Sequence, residues 1–192
     1  MANAFFAMLF RMKYIRRWGI MHSVVPENLS THSMEVAVTA HALAIIGNTY
    51  FKKSYNCDKI GTKALYHDLP EILTGDIPTP VKYFSKDMRT AYDSVEKAVL
   101  KRFLSSLPDE LEYHYNAFFD YSADEKKLIK AADKICAYLK CAEEERSGNR
   151  EFSVAKETLA KSISSLNCEE ADYFLQKFSE GFNLPIDTLL VE

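Results

Sequence analysis

A histidine and an aspartate, His67 and Asp68, stand side by side at the end of an apolar run in "ALYHDLPEILTGDIPTPVKY", residues 64 to 83. Glu71 follows, and then a loop with one glycine and two prolines that carries Asp76. An imidazole and three carboxylates within ten residues are more than a plain core helix needs. A neutral imidazole beside a carboxylate is a mixed nitrogen–oxygen donor set, suited to Mn²⁺, Co²⁺, Fe²⁺, Ni²⁺ or Zn²⁺. Two ligands do not hold an ion firmly, so further donors must come from elsewhere. His32, at the start of a long apolar segment, is the first candidate. His41 lies nine residues on, about half a helical rotation away. It cannot easily serve the same site and reads as a hydrogen-bonded or partly buried core histidine. His22 and His114 sit in weakly patterned regions and read as surface residues. Asp133, in "LIKAADKICAYL", lies on the shoulder of its helix's apolar stripe, where a solvated aspartate fits as well. Periodicity leaves that residue undecided.

The elements that must position these groups read as helix after helix. Glu71 lies four after His67 and three after Asp68, so a continuing helix would place all three on one face. Pro70 disfavours helix at Leu69, which ends the helix near Asp68 and lets Glu71 start a new turn. Pro78 and Pro80 stiffen the following loop and hold Asp76 and Thr79 in place. The first helix is expected from about Ala4 to Ile15, with Phe6, Leu9, Phe10 and Lys13 at helical spacing. A second, from Ser30 to about Lys52, is capped by Ser30 or Thr31. It is apolar nearly all round, hence central and enclosed. Asp58 caps a third. Others are expected near 86–104, from Pro108 and Asp109, from 124 to 145, and near 152–165 and 168–181. No hairpin signal interrupts the series. The fold class is all-α, and residues 1–192 read as one domain.

Composition fits that reading: 47% hydrophobic and 27% charged residues make an ordinary globular chain, with twelve Phe, eleven Tyr and one Trp for core bulk. The net charge of −3 offers no counter-surface to long nucleic acid. No apolar run approaches the ~18 residues of a membrane span. The four cysteines have neither CxxC pairing nor zinc spacing, which fits buried thiols in a reducing cytosol.

Histidine, then His-Asp about thirty-five residues later, then aspartate some sixty-five further on, resembles the HD-domain superfamily of metal-dependent phosphohydrolases. "RRW", "ENLSTHS", "YHDLPEILTGDIPTPVKY" and "KAADKICAYLKCAEE" look like the bacterial YfbR-type 5'-deoxynucleotidases. The resemblance implies an HD-domain helical bundle with its metal site between central helices. By that resemblance His32, His67, Asp68 and Asp133 match four ligands of one divalent metal ion, Co²⁺, Mn²⁺ or another transition metal. Glu71 matches the catalytic acid, with Arg17 beside it at the reaction. Arg17, Trp18, His32, Asp68, Asp133 and the stretch Asp76, Ile77, Pro78 and Thr79 match the substrate-binding positions. The implied reaction is hydrolysis of 2'-deoxyribonucleoside 5'-monophosphates by a cytoplasmic homodimer. Thr31 departs from the family where an acid is common before the first histidine, and Pro70 interrupts the segment after His-Asp.

Each group has chemistry to do. A guanidinium grips phosphate oxygens in a bidentate way, and Glu71 can relay a proton. The ring of Trp18 against the sugar would leave no room for a 2'-hydroxyl, and Asp76 could accept from the 3'-hydroxyl. Without the resemblance Trp18 reads as an apolar anchor, and in "KYIRRW" Arg16 competes with Arg17. Three rival readings stand beside this one. Another HD phosphohydrolase, acting on a triphosphate, cyclic or signalling nucleotide, would call for more basic residues than Arg17 and Lys82. A non-catalytic helical binding protein would not need an intact ligand set. An oxygenase with two irons would need more histidines.

Overall fold

The computed structural model describes residues 3–82 and 84–189. In chain order the helices are α1 (Phe5–Leu9), α2 (Leu29–Tyr50), α3 (Cys57–Leu65), α4 (Glu71–Thr74), α5 (Thr79–Lys82), α6 (Lys86–Leu104), α7 (Asp109–Asn116), α8 (Ala123–Arg146), α9 (Ser153–Ser164), α10 (Glu169–Phe178) and α11 (Ile186–Leu189). Tighter 3₁₀ turns follow α1, α7 and α10 and precede α9. No strand occurs among the described residues; one isolated antiparallel bridge pairs Arg16 with Asn28. The fold is all-α, as the sequence predicts.

The chain divides into two compact units, Met1–Met34 with Leu65–Asp120, and Glu35–Ala64 with Tyr121–Glu192, the boundary falling inside α2. The first unit is built on Phe5, Met12, Leu29, Leu69, Ile72, Phe103, Leu104 and Leu107. α1 ends at Leu9 and tightens into the 3₁₀ turn Phe10–Tyr14, so the buried positions become Phe5 and Met12. Phe6 and Phe10, expected to belong to the apolar face, are exposed. The second unit is built on residues of α2, α3, α8, α9 and α10, with Leu43, Ile60, Leu128, Ile135 and Ile163 nearly or wholly buried. Within it α2 is not enclosed on all sides: Val38 is 62% exposed and Ile45 45%.

The helix starts explain the boundaries. Asn28, not Ser30 or Thr31, caps α2: its Oδ1 accepts from the Thr31 N–H at 3.0 Å. Asn56, not Asp58, caps α3 in the same way through the Lys59 N–H at 2.9 Å. Ser85 caps α6, and Ser122 with Glu125 forms a reciprocal capping box on α8. Pro70 precedes α4 in a helical conformation, and Glu71 opens that turn.

Candidate active site

Three segments of the first unit carry the site. The chain is extended at Ile15 and returns at Asn28. Leu29 N–H donates to Ile15 O at 2.9 Å, and Arg17 N–H donates to Glu27 O at 3.1 Å. This clasp sets Arg17 and Trp18 against the start of α2. His32 lies one turn past the Asn28 cap and is fully buried. The third segment is the turn after α3. Leu69, wholly buried, anchors it, and Leu69 N–H closes on Tyr66 O at 3.1 Å. His67 and Asp68 are carried by that turn, and Glu71 N–H donates to Asp68 O at 3.0 Å.

The donors converge. His67 Nε2 lies 3.0 Å from Asp68 Oδ2, and His32 Nε2 lies 3.7 Å from the same oxygen. Donor atoms of His32, His67 and Asp68 all fall within 4.8 Å of one another. Ligands bonded to one ion at 2.0–2.2 Å sit roughly 3 to 3.5 Å apart, so the two imidazoles and the carboxylate fit a transition-metal ion with small adjustments. Burial alone would raise the pKa of Asp68. The His67 imidazole, then His32 and Arg17, more than offset it and hold the carboxyl well below the usual range.

Further carboxylates stand around this trio. Arg17, 11% exposed, reaches three acids: Nε is 3.3 Å from Glu27 Oε2, and Nη1 is 3.8 Å from both Asp68 Oδ2 and Asp76 Oδ1. Arg16 is exposed. Trp18 adopts a left-handed backbone with φ +59°, unfavourable for a bulky residue. Two acids hold it there: Asp76 Oδ2 accepts its backbone N–H at 3.2 Å, and Glu27 Oε2 accepts its indole N–H at 2.6 Å. A strain of about 1–3 kcal/mol, sustained by specific contacts, is characteristic of functional sites.

Glu71 is 7% exposed, and its Oε2 has no hydrogen-bond partner among the described residues. Burial, then the nearby charges of Asp68 and Asp76, push its pKa up to about 9 against the pull of Lys82 and Arg17. Lys82 Nζ stands 3.9 Å from Glu71 Oε1, is paired with Glu96 Oε1 at 3.2 Å, and lies 4.4 Å from the centre of the Tyr92 ring. Ile77 and Pro78 are half-buried beside Asp76, and Thr79 is exposed where it opens α5. Asp133 belongs to the second unit, half-buried on α8. His41 is half-buried, its Nε2 3.5 Å from Asp58 Oδ1, and His22 and His114 are exposed.

Sequence reasoning named Lys82 but missed Glu27 and the Glu96 and Tyr92 partners of Lys82. "VPENLS" has no helical period to mark Glu27 as an inward residue. The one available signal was an acid directly ahead of an asparagine cap. Glu96 and Tyr92 were hidden in the alternating charges of α6.

The all-α arrangement that carries the His…His-Asp cluster matches the fold of solved HD-domain phosphohydrolases. The solved HD-domain phosphohydrolase from Listeria innocua superposes with a TM-score of 0.81 at 24% identity, covering 94% of this chain and 88% of the other. The HD phosphohydrolase of cyanophage S-2L, solved with dA and one catalytic Zn²⁺ ion, gives 0.67 at 18% identity, covering 92% and 95%. The chain belongs to the family described as 5'-deoxynucleotidase YfbR-like, whose sequence profile matches residues 4–182. The 5'-deoxynucleotidase of Cronobacter sakazakii is 45% identical over 188 residues, 96% of this chain and 94% of that protein. That of Vibrio vulnificus is 44% identical over 188 residues, 96% of this chain and 97% of that protein.

Proposed function

We propose that this chain is a metal-dependent phosphomonoesterase that hydrolyses 2'-deoxyribonucleoside 5'-monophosphates to deoxynucleosides and phosphate. The observation that carries the reading is the His32–His67–Asp68 cluster, with donors within 4.8 Å, standing beside Arg17, Trp18 and a buried Glu71. His32, His67, Asp68 and, by the family motif, Asp133 hold one divalent ion, Co²⁺, Mn²⁺ or another transition metal. When bound, such an ion supplies a Lewis acid that polarises a phosphoryl oxygen and acidifies water. The chain's own groups do the rest. Arg17, already beside three carboxylates, exchanges part of that company for phosphate oxygens and fixes their orientation. Glu71 moves a proton at Oε2, the buried oxygen without a partner among the described residues. The Trp18 ring lies against the sugar and excludes a 2'-oxygen. Asp76 reaches the 3'-hydroxyl, and Ile77, Pro78 and Thr79 complete the wall. His32, Asp68 and Asp133 also border the phosphate.

The cytoplasmic setting, the single HD domain over residues 1–192 and the homodimer belong to the same proposal. Val38 and Ile45, exposed on α2, are a surface a second copy would cover. The test is to strip metal with chelator and restore Mn²⁺, Co²⁺, Mg²⁺ or Zn²⁺ in turn. Phosphate release is then measured from deoxy- and ribonucleoside monophosphates. Release from the deoxy substrates with a transition metal, abolished in His67→Ala, is expected. No release with any metal, or undiminished release in His67→Ala, would overturn the reading.

A further inference from the structure

Glu27 has no part in the chemistry above, yet its carboxylate touches both sides of the site. It is 8% exposed, and a buried carboxylate is expensive unless its partners compensate. Those partners say what it is for. Oε2 accepts the Trp18 indole N–H at 2.6 Å and faces Arg17 Nε at 3.3 Å. Oε1 faces His32 Nδ1 at 3.4 Å, a close approach in which neither atom makes a hydrogen bond to the described residues. The short indole contact is a charge-assisted bond. A carboxylate on one imidazole nitrogen directs the other towards a metal by fixing the tautomer.

We infer that Glu27 is a positioning residue that locks two groups with one carboxylate: the Trp18 ring that screens the sugar, and the His32 imidazole, held so that Nε2 turns to the ion. For the ring's task this rests on the function proposed above. A purely structural acid would matter to stability and leave sugar discrimination and metal affinity alone.

The test uses Glu27→Ala, Glu27→Gln, Trp18→Phe and the double variant Glu27→Ala/Trp18→Phe. Trp18→Phe keeps an aromatic ring but deletes the indole donor together with part of the ring's bulk. Trp18 is the sole tryptophan, so emission of the chelator-treated protein reports its surroundings directly. Glu27→Ala is expected to shift that emission to the red and raise acrylamide quenching, with Glu27→Gln intermediate. Mn²⁺ affinity, measured by calorimetry, should fall about 10- to 100-fold in Glu27→Ala and stay unchanged in Trp18→Phe. With Mn²⁺ bound, the deoxy-over-ribo ratio of kcat/KM should fall about tenfold in Glu27→Ala, at least as far in Trp18→Phe, and in the double no further than in Trp18→Phe, since the shared bond is already lost there. Losses that multiply in the double variant, or unchanged emission and Mn²⁺ affinity in Glu27→Ala, would overturn the assignment. Thermal melts accompany each variant; if Glu27→Ala does not fold, the isosteric Glu27→Gln decides by the same emission and affinity readouts. Should the wild type release no phosphate at all, the proposed function fails, while the emission and affinity readouts still decide the role of Glu27.

Discussion

Replacing Glu71 by glutamine should stabilise the metal-free protein while abolishing its turnover. In the folded chain the Glu71 carboxyl is pushed up to about 9 from an ordinary 4.5, by burial first and then by Asp68 and Asp76. At pH 7 the unfolded chain is ionised there and the folded chain is not. At about 1.4 kcal/mol per pH unit, folding then works against roughly 3 kcal/mol. Glutamine never ionises and removes that penalty. Its amide brings a buried donor of its own, which returns about 1 kcal/mol. A net gain of about 2 kcal/mol remains, worth about 4–8 °C in Tm for a chain of this size. The sign with pH follows from proton counting. Between about 4.5 and 9 the folded wild type holds more protons than the unfolded chain, so its stability falls as pH rises through that window. The variant lacks this slope. Chelator-treated wild type and Glu71→Gln would be melted at pH 5 and pH 8 and followed by circular dichroism. The gap in Tm should be small at pH 5 and widen at pH 8. Equal pH slopes, or a variant less stable at pH 8, would refute the reasoning.

Arg17→Lys should lower kcat/KM about a hundredfold, because a point charge replaces a planar fork. The exposed Arg16→Lys should change it by less than about twofold, and steady-state phosphate release compares the two. Trp18→Ala should raise ribonucleotide turnover relative to deoxynucleotide turnover in paired kinetics; an unchanged preference would remove the ring from its assigned role. Gly47→Ala sets two effects against each other. Helix propensity favours alanine by about 1 kcal/mol, but the new Cβ would meet Tyr55 Cε2 at 2.6 Å and Glu170 Oε1 at 3.0 Å. Overpacking of about 1–3 kcal/mol wins, because Tyr55 is tied to Glu170 at 3.0 Å, and urea melts should show a net loss of about 1 kcal/mol.

Helices long enough to show a period were legible from the residues alone. α6 spans Lys86–Leu104, as its charge pattern predicts, and α8 runs one residue beyond the expected range at each end. The starts of α2 and α3 were misjudged because Ser, Thr, Asp and Asn are all good caps. Which one serves depends on where the chain enters, and that is set by the Ile15–Leu29 clasp and by the residues leading into Cys57. α4 and α5 have four residues each and show no period at all. The site divides along the same line. His67, Asp68, Glu71 and Asp76 announced themselves by crowding unlike groups into ten residues. Glu27 did not, since what marks it is contact with Trp18 and His32 through the fold. The left-handed backbone of Trp18 was equally silent, although Gly19 follows it.

The indole of Trp18 has a single N–H, and Glu27 consumes it. In the proposed pose the ring therefore meets the sugar as a hydrocarbon wall with no polar probe to read an alcohol. Walls of that kind discriminate by crowding alone, so selectivity depends on how firmly the ring is held. In that pose, any give in the ring would show as leakage towards ribonucleotides.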